Sequence, residues 1–416
     1  MRISTNEFLL GSLNDMLAQE QNVNQLNREI ASGQTMLDAS SDPGGASQVV
    51  GLANQVGTLS YDAANGQAAA QALQNGVSAL QQVTNLLVQL RQSAESAANG
   101  TTTPADRVSD INSAQSLLQQ LVQLANTQGP NGGYLFAGSK SNAPAFSALP
   151  SGQVVFNGDA GTNQVEIAPS LNVASTISGQ NVFMGIPAGT GGVAVSASGG
   201  NTGTAFAIAQ GVTSVSQVTA ASLAGTQYEI SFSGSGSSLS YQVTSGHGTP
   251  GSAGYTASSG VVASGSYAAG MDLGFGGIEV QVSGDPAAGD SFAVQPGAST
   301  SLFQTVQNLV AALGMQQGSG TQSAQALQNV LANLNGAQTS VLSAQATLGS
   351  NLAEIQSVAS QTSTESANAT TQMSDLQSAN LPQVLANYSE SLTALQAAQL
   401  SFAKLQNLTL FADILP

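Results

Sequence analysis

Residues 49–94 read VVGLANQVGTLSYDAANGQAAAQALQNGVSALQQVTNLLVQLRQSA. Leu52, Leu59, Leu73, Leu80 and Leu87 share one heptad position, with Gly66 in the open slot between them. Val49, Val56, Ala63, Ala70 and Val77 stand three residues earlier. Two apolar positions per heptad fall on one side of a helix and leave a seam that another helix must cover. This stretch predicts one long helix ending near Gly100 and commits its surroundings to a bundle.

Working outward, Thr103-Pro104 opens a further helix with proline at its first position, carried by Ile111, Leu118, Leu121 and Leu124 to Gly129-Pro130. Upstream, the run 39–46 (ASSDPGGA) breaks the pattern, with Asp42 as N-cap before Pro43. Before it, Leu9, Met16, Val23, Ile30 and Leu37 recur every seven residues. Ser4 stands three residues before Glu7, the capping-box spacing. Downstream, Leu302, Val306, Leu309, Val310 and Leu313 predict a short helix, interrupted by Gly314, Gly318 and Gly320. Leu327, Leu334, Val341, Leu348 and Ile355 then repeat at seven on a helix reaching into the 370s. A break at Asn380-Leu381-Pro382 precedes a last helix, on which Leu381, Tyr388, Leu395 and Phe402 repeat at seven beside Leu385 and Leu392.

Between these flanks, residues 141–302 are rich in Gly, Ser, Val and Thr and contain no Lys or Arg. The runs 153–156, 164–167, 227–232, 239–243 and 278–282 have β character and are separated by Gly, Ser and Asn. The expected fold is mainly α with an inserted all-β domain: long coiled-coil-like helices from both termini paired into a bundle, plus a Gly/Ser-rich outer domain. The expected division is 1–45 with 375–416, 46–140 with 303–374, and 141–302.

Composition excludes most chemistry. The 416 residues carry 22 acidic and 6 basic side chains, a net charge of −16, and only 7% are charged, against about 25% in ordinary domains. Six cations cannot neutralise a nucleic-acid backbone, and an anionic membrane repels such a chain. With no Cys and one His, His247, thiolate catalysis, Cys-containing zinc sites and His-based triads fall away. No enzyme activity and no cofactor are expected. Aromatic residues are 5% with no Trp, so deep aromatic pockets are not expected. No apolar run reaches the ~18 residues of a membrane span. The N-terminus shows no apolar stretch of a Sec-type signal, so any export is expected to use another route.

The remaining candidates read as structure. His247 lies in the turn-like 245–251 (SGHGTPG). Asp285 and Asp290 could share a Ca²⁺ with backbone oxygens, but they lack any EF-hand or nonapeptide spacing and read as an acidic β-turn. Gly234 and Gly236 lack the third Gly or Lys of a phosphate loop. Arg28, Arg91, Arg107, Lys140 and Lys404 read as solvated or in isolated pairs worth ~0–1 kcal/mol each.

The terminal helices carry the functional signal. Covering a Leu-sized side chain contributes ~1.5–3 kcal/mol, while fixing each backbone position costs ~1–2 kcal/mol. A helix that covers only one of its stripes therefore does not hold alone. The last helix is apolar beyond its seam, with Leu400, Leu405, Leu408, Leu410 and Phe411. The two terminal helices are expected to pair and then pack into an oligomer. The assembly residues would be Leu9, Leu13, Met16, Leu17, Val23, Ile30, Leu381, Leu385, Tyr388, Leu392, Leu395, Phe402, Leu405, Leu408 and Phe411.

Three stretches carry a resemblance: 31–46 (ASGQTMLDASSDPGGA), 133–146 (GYLFAGSKSNAPAF) and 374–415, which opens SDLQSANLPQV. Together they resemble the junction-protein branch of the bacterial flagellin superfamily. Ser41 departs from the acidic residue common in the first stretch. The close on Leu415-Pro416 without arginine favours the junction proteins over filament subunits. The resemblance covers 1–146 and 303–416. It implies a polymer-core domain from both termini, a helical-bundle domain and an outward β domain. It also implies a structural role between hook-associated protein 1 and flagellin, in a ring or tubular layer of copies. The extracellular flagellum would be reached through the flagellar type III apparatus without a cleaved signal, and an export chaperone would hold the C-terminal region beforehand. Two rivals remain: a flagellin filament subunit, and a secreted Gly/Ser-rich adhesin that would keep its binding without either terminus.

Overall fold

The computed structural model describes residues 5–35, 40, 42–99, 103–248, 256–315 and 320–414. Three helices come first: α1 (Thr5–Ser32), α2 (Pro43–Ala98) and α3 (Pro104–Ala125). Two hairpins follow, β1 (Phe146–Ala148) with β2 (Val154–Phe156) and β3 (Gln164–Ala168) with β4 (Leu171–Ala174). A π turn at Gln180–Met184 leads to β5 (Ile186–Pro187). Next come β6 (Val193–Ala197), β7 (Phe206–Val212), α4 (Val215–Ala224), β8 (Gln227–Ser233), β9 (Ser240–His247), β10 (Thr256–Ser266), β11 (Met271–Phe275), β12 (Ile278–Ser283) and β13 (Ser291–Pro296). The chain closes with β14 (Ser299–Thr300), α5 (Leu302–Gly314), α6 (Gly320–Gln377) and α7 (Leu381–Ile414). It is mainly helical with an inserted body of antiparallel sheets, as the two periodicities predict.

The helix starts follow their caps. Asp42 Oδ1 accepts from Gly45 N at 2.9 Å, and Ser301 Oγ accepts from Gln304 N at 3.0 Å. At α3 the hydroxyl of Thr103 accepts from Asp106 N at 3.2 Å, while the Asp106 carboxylate accepts from Thr103 N at 3.0 Å. These reciprocal bonds form a capping box. The Thr103 hydroxyl, and then its amide, hold the Asp106 carboxyl below its ordinary value. A lowered folded pKa means the bond is present above the unfolded value and lost as pH falls through the folded one. The Thr103 amide resonance is therefore expected to titrate with a midpoint below the usual carboxylate range, and a Thr103→Val variant should bring that midpoint back up. The expected cap Ser4, the seam residue Leu37, the motif position Ser41 and the break at Gly318 lie outside the described residues.

The chain divides into two compact units, residues 1–64 with 359–416, and residues 65–358. The second unit contains two separate hydrophobic cores. In the first, Leu73, Leu80 and Leu87 of α2 are buried with Leu121 of α3, Leu309 of α5, and Leu334, Val341 and Leu348 of α6. The open slot at Gly66 has a use. A Cβ there would stand 3.7 Å from Ile355 Cγ2 and 3.8 Å from Ile167 Cγ2, so the missing side chain admits two isoleucines. The segment 134–138 (YLFAG) is pinned at both ends of its buried stretch. Leu135, Phe136 and Ala137 are buried, and Gly138 turns with φ +72° where a Cβ would overlap the Asp159 carbonyl and carboxylate. Asp159 in turn accepts from the hydroxyl of Ser139, from Ser139 N at 2.7 Å and from Gly161 N at 3.0 Å.

Aromatic residues are few but gathered. The Phe146 ring lies 5.0 Å from Phe303, 5.1 Å from Phe156 and 5.4 Å from Phe183, and Phe183 lies 5.3 Å from Phe136. Composition gave no sign of this cluster, which fills the meeting point of β1, β2, the π turn and α5.

The second core belongs to the β body. A five-stranded sheet in the order β10-β9-β8-β13-β6 and a three-stranded sheet in the order β11-β12-β7 share it. Alternation places Tyr228, Ile230 and Phe232 of β8 and Ile278, Val280 and Val282 of β12 inside. Gly234 (φ +97°) and Gly236 (φ +57°) serve the β8–β9 turn. The expectation of a plain acidic turn at Asp285 and Asp290 needs correction at Asp290. Its side chain is buried, and its carboxylate accepts from Thr202 N (2.8 Å), Gly203 N (3.0 Å) and Ala287 N (2.8 Å), tying two loops together.

The outer faces of α6 are neutral in a particular way. Thr339, Thr347, Thr364, Thr370 and Thr371 each donate a hydroxyl to the carbonyl four residues back, at 2.8–3.1 Å. Such hydroxyls are satisfied within their own helix.

Candidate assembly site

The first unit is built on the pairing of α1 with α7. At one end Gly33 (φ +70°) terminates α1, and its carbonyl accepts from Ala379 N at 2.9 Å while Thr35 N donates to Gln377 O at 2.8 Å. Gln34 and Ser378 form an antiparallel bridge. Farther along, Gln19 Nε2 donates to Ser391 O at 3.2 Å and Asn22 Nδ2 to Ser391 Oγ at 3.3 Å. The helices are therefore antiparallel, and this register sets Met16, Val23 and Ile30 level with Leu395, Tyr388 and Leu381.

The expected assembly residues separate into three groups. Met16, Val23, Ile30, Tyr388, Leu392, Leu395 and Phe402 are half-buried. Leu13 (40%), Leu17 (49%), Leu381 (42%) and Leu385 (51%) remain exposed. The side chains of Leu9, Leu405, Leu408 and Phe411 lie outside the described residues. The most buried members of the pair, Leu26 and Val384, are absent from the expected set. Both sit at the second heptad position, three residues past Val23 and Leu381, so the seam extended by one more register would have found them. Leu10 was also missed; it is 55% exposed and continues the stripe of Leu13 and Leu17 at helical spacing.

Elsewhere the chemistry is sparse. His247 is exposed at the end of β9, its Nε2 3.1 Å from Ala224 O. Among the described residues no group of three or more His, Cys, Asp or Glu is placed to hold a metal, and no helix is long and apolar enough to cross a membrane. A groove of about 710 Å³ beside Leu118, Val122 and Val310 is rimmed by glutamines and holds no ionisable side chain. Arg91 meets Glu95 at 3.6 Å, one helical turn on, and Arg107 Nη1 donates to Met315 O at 3.2 Å.

Residues 3–141 match the family model of the bacterial flagellin N-terminal helical region. Flagellar hook-associated protein 3 of Salmonella typhimurium is 30% identical over 187 residues, covering 45% of this chain and 58% of that protein. The match thus spans little more than half the length of that relative. Flagellar hook-associated protein 3 of Legionella pneumophila superposes with a TM-score of 0.69 at 30% identity, over 78% of this chain and 98% of that one. A second Legionella pneumophila structure, described as the flagellar junction protein FlgL, gives a TM-score of 0.66 at 30% identity, over 79% and 100%. With a relative matched at this identity over its whole length, the chain belongs to the flagellar hook-associated protein 3 family.

Proposed function

We propose that this chain is a structural, non-enzymatic subunit of the bacterial flagellum that forms the junction between the hook, through hook-associated protein 1, and the flagellin filament. The observation that carries this reading is the exposed leucine stripe of Leu10, Leu13 and Leu17 on α1, with Leu385 and Leu400 on α7. Large apolar side chains in rows on an already paired helical surface mark a face that another molecule covers. In this reading 1–45 with 375–416 form the polymer core and 46–140 with 303–374 the bundle. Within 141–302, the part beyond the neck at Ile186–Pro187 and Ser299–Thr300 forms the separate outer β body, the earlier hairpins packing into the helical core. Copies pack side by side in a ring or tubular layer. The low charge suits such packing, because ions buried between copies need full pairing or cost desolvation. Export through the flagellar type III apparatus, with a chaperone on the C-terminal region, completes the proposal.

The test replaces Leu13 and Leu17 by Asp in a strain lacking its own copy. Two carboxylates on the stripe are expected to abolish incorporation and motility, while circular dichroism of the purified variant matches that of the parent. Normal motility of the variant would refute the reading. Purified parent growing into long filaments without a hook would instead assign the chain to the filament.

A further inference from the structure

We infer that one face of α6 is a hydrogen-bonded joint that sets the direction of the β body, and that releasing it lets that body swing while both cores of residues 65–358 stay folded. The joint lies wholly within this unit and is independent of the proposed place in the flagellum.

Helix α6 presents two different faces. Leu327, Val330, Leu334 and Val341 point into the helical core. Gln322, Gln325, Asn329 and Asn333 recur at spacings of three and four on another face. Gln325 is 2% exposed. Its Oε1 accepts from Ala207 N at 2.8 Å and its Nε2 donates to Ala207 O at 2.8 Å, the pair of bonds a neighbouring strand would make. Its Nε2 also reaches Asn329 Oδ1 at 2.9 Å, which orients Asn329 to donate to Val195 O at 2.7 Å. Asn333 Oδ1 accepts from Gly189 N at 2.7 Å, and Gln322 Nε2 donates to Gly199 O at 2.9 Å.

Val195 lies on β6 and Ala207 on β7, the end strands of the two sheets. Open strand edges need a cover, and here the amides of one helix cover both. The chain enters and leaves the β body through a narrow neck, where Ile186 and Pro187 pair with Thr300 and Ser299 and Ala188 N donates to Ala298 O at 2.9 Å. At Gly336 a Cβ would come within 3.0 Å of Pro187 O, so the neck rests on the helix. The two hydrophobic cores share no residue. What fixes the body on α6 is therefore directional amide bonding, each member of which exchanges with water at small net cost. An apolar interface would instead have fused the two cores into one cooperative unit.

The native chain has no cysteine, so two labels can be placed uniquely on the full-length protein. Leu342→Cys on α6 and Leu223→Cys on α4 are exposed positions, 49% and 85%. Spin labels there report the distance between helix and body. Adding Gln325→Ala with Asn329→Ala should at least double the width of the distance distribution while amide exchange in β8, β12 and β13 stays slow. Gln325→Glu keeps the shape but loses the donor to Ala207 O at neutral pH, and should broaden the distribution in the same way. An unchanged width in both variants would overturn the proposal. So would loss of slow exchange in the β body of both, which would make these amides part of its core rather than its joint.

Discussion

Phe146→Ala is expected to lower the stability of the helical core of residues 65–358 by about 3–5 kcal/mol, the range for truncating a buried phenylalanine. The reason for the upper part of that range is that this site cannot close over the cavity. Phe146 is 1% exposed and touches three other rings. Its backbone is clamped by Asn126, whose Nδ2 donates to Phe146 O at 2.8 Å and whose Oδ1 accepts from Phe146 N at 2.9 Å. On its far side the ring presses on Gly179, where a Cβ would come within 2.7 Å of it. With the backbone held and neighbours drawn from separate elements, the void persists, and the aromatic pairs add ~0.5–1.5 kcal/mol beyond burial. Denaturant unfolding followed at the helical signal measures the loss. A change below about 1.5 kcal/mol would mean that the cluster collapses over the gap. The half-buried Phe156, truncated in the same way, should cost clearly less.

Asp290→Ala should destabilise the β body by about 3–5 kcal/mol, because three backbone N–H groups lose one charged acceptor at once. Bonds to a charged group contribute ~1.5–3 kcal/mol each, and an orphaned buried donor costs ~1–3 kcal/mol. The sum is not reached, since a water can enter the opened loop. Gly203 sharpens the effect: a Cβ there would lie 2.5 Å from Asp285 O and 2.6 Å from Asp290 Oδ2, so the loop is already at closest approach. Asp290→Asn should recover only part, since its amide nitrogen meets N–H groups where an acceptor is needed. Thermal unfolding and amide exchange at Thr202 and Ala287 read the result. Because the two cores share no residue, the Phe146 and Asp290 losses should add within about 0.5 kcal/mol in the double variant.

Much of the architecture was legible because long heptads and short alternations are different periods. Leu52 through Leu87, Leu327 through Ile355, and the breaks at Asp42-Pro43, Thr103-Pro104 and Asn380 each marked a helix or its end. Strands β2, β3, β8, β9 and β12 stood out as alternating runs. Strand β7 (FAIAQGV) and helix α4 (VSQVTAASLA) did not, since small Ala, Ser and Gly residues carry little contrast between faces. Burial assignment was less legible still. The side chains of Phe146, Val154, Ile167, Val173 and Phe183 lie in β-rich sequence yet join the helical core, a choice made by long-range packing that no local pattern records. At the proposed assembly face, apolar surplus was readable, and exposed Leu13, Leu17 and Leu385 follow from it. Which leucines the α1–α7 pairing hides depends on a register set by Gln34–Ser378 and Ser391, contacts more than 340 residues apart in sequence. Gln325 resembled every other glutamine of these helices, because the strand edges it meets lie more than 100 residues away.

The threonines of α6 that return their hydroxyls to their own carbonyls have a consequence for the medium outside. Over 58 residues this helix carries Glu354, Glu365 and Asp375 and no basic side chain. Dissolved ions screen interactions between exposed charges that lie farther apart than about 10 Å at about 0.1 M salt, and along most of α6 there is little charge for them to screen. Its hold on neighbouring helices should therefore be nearly the same in fresh water and in brine.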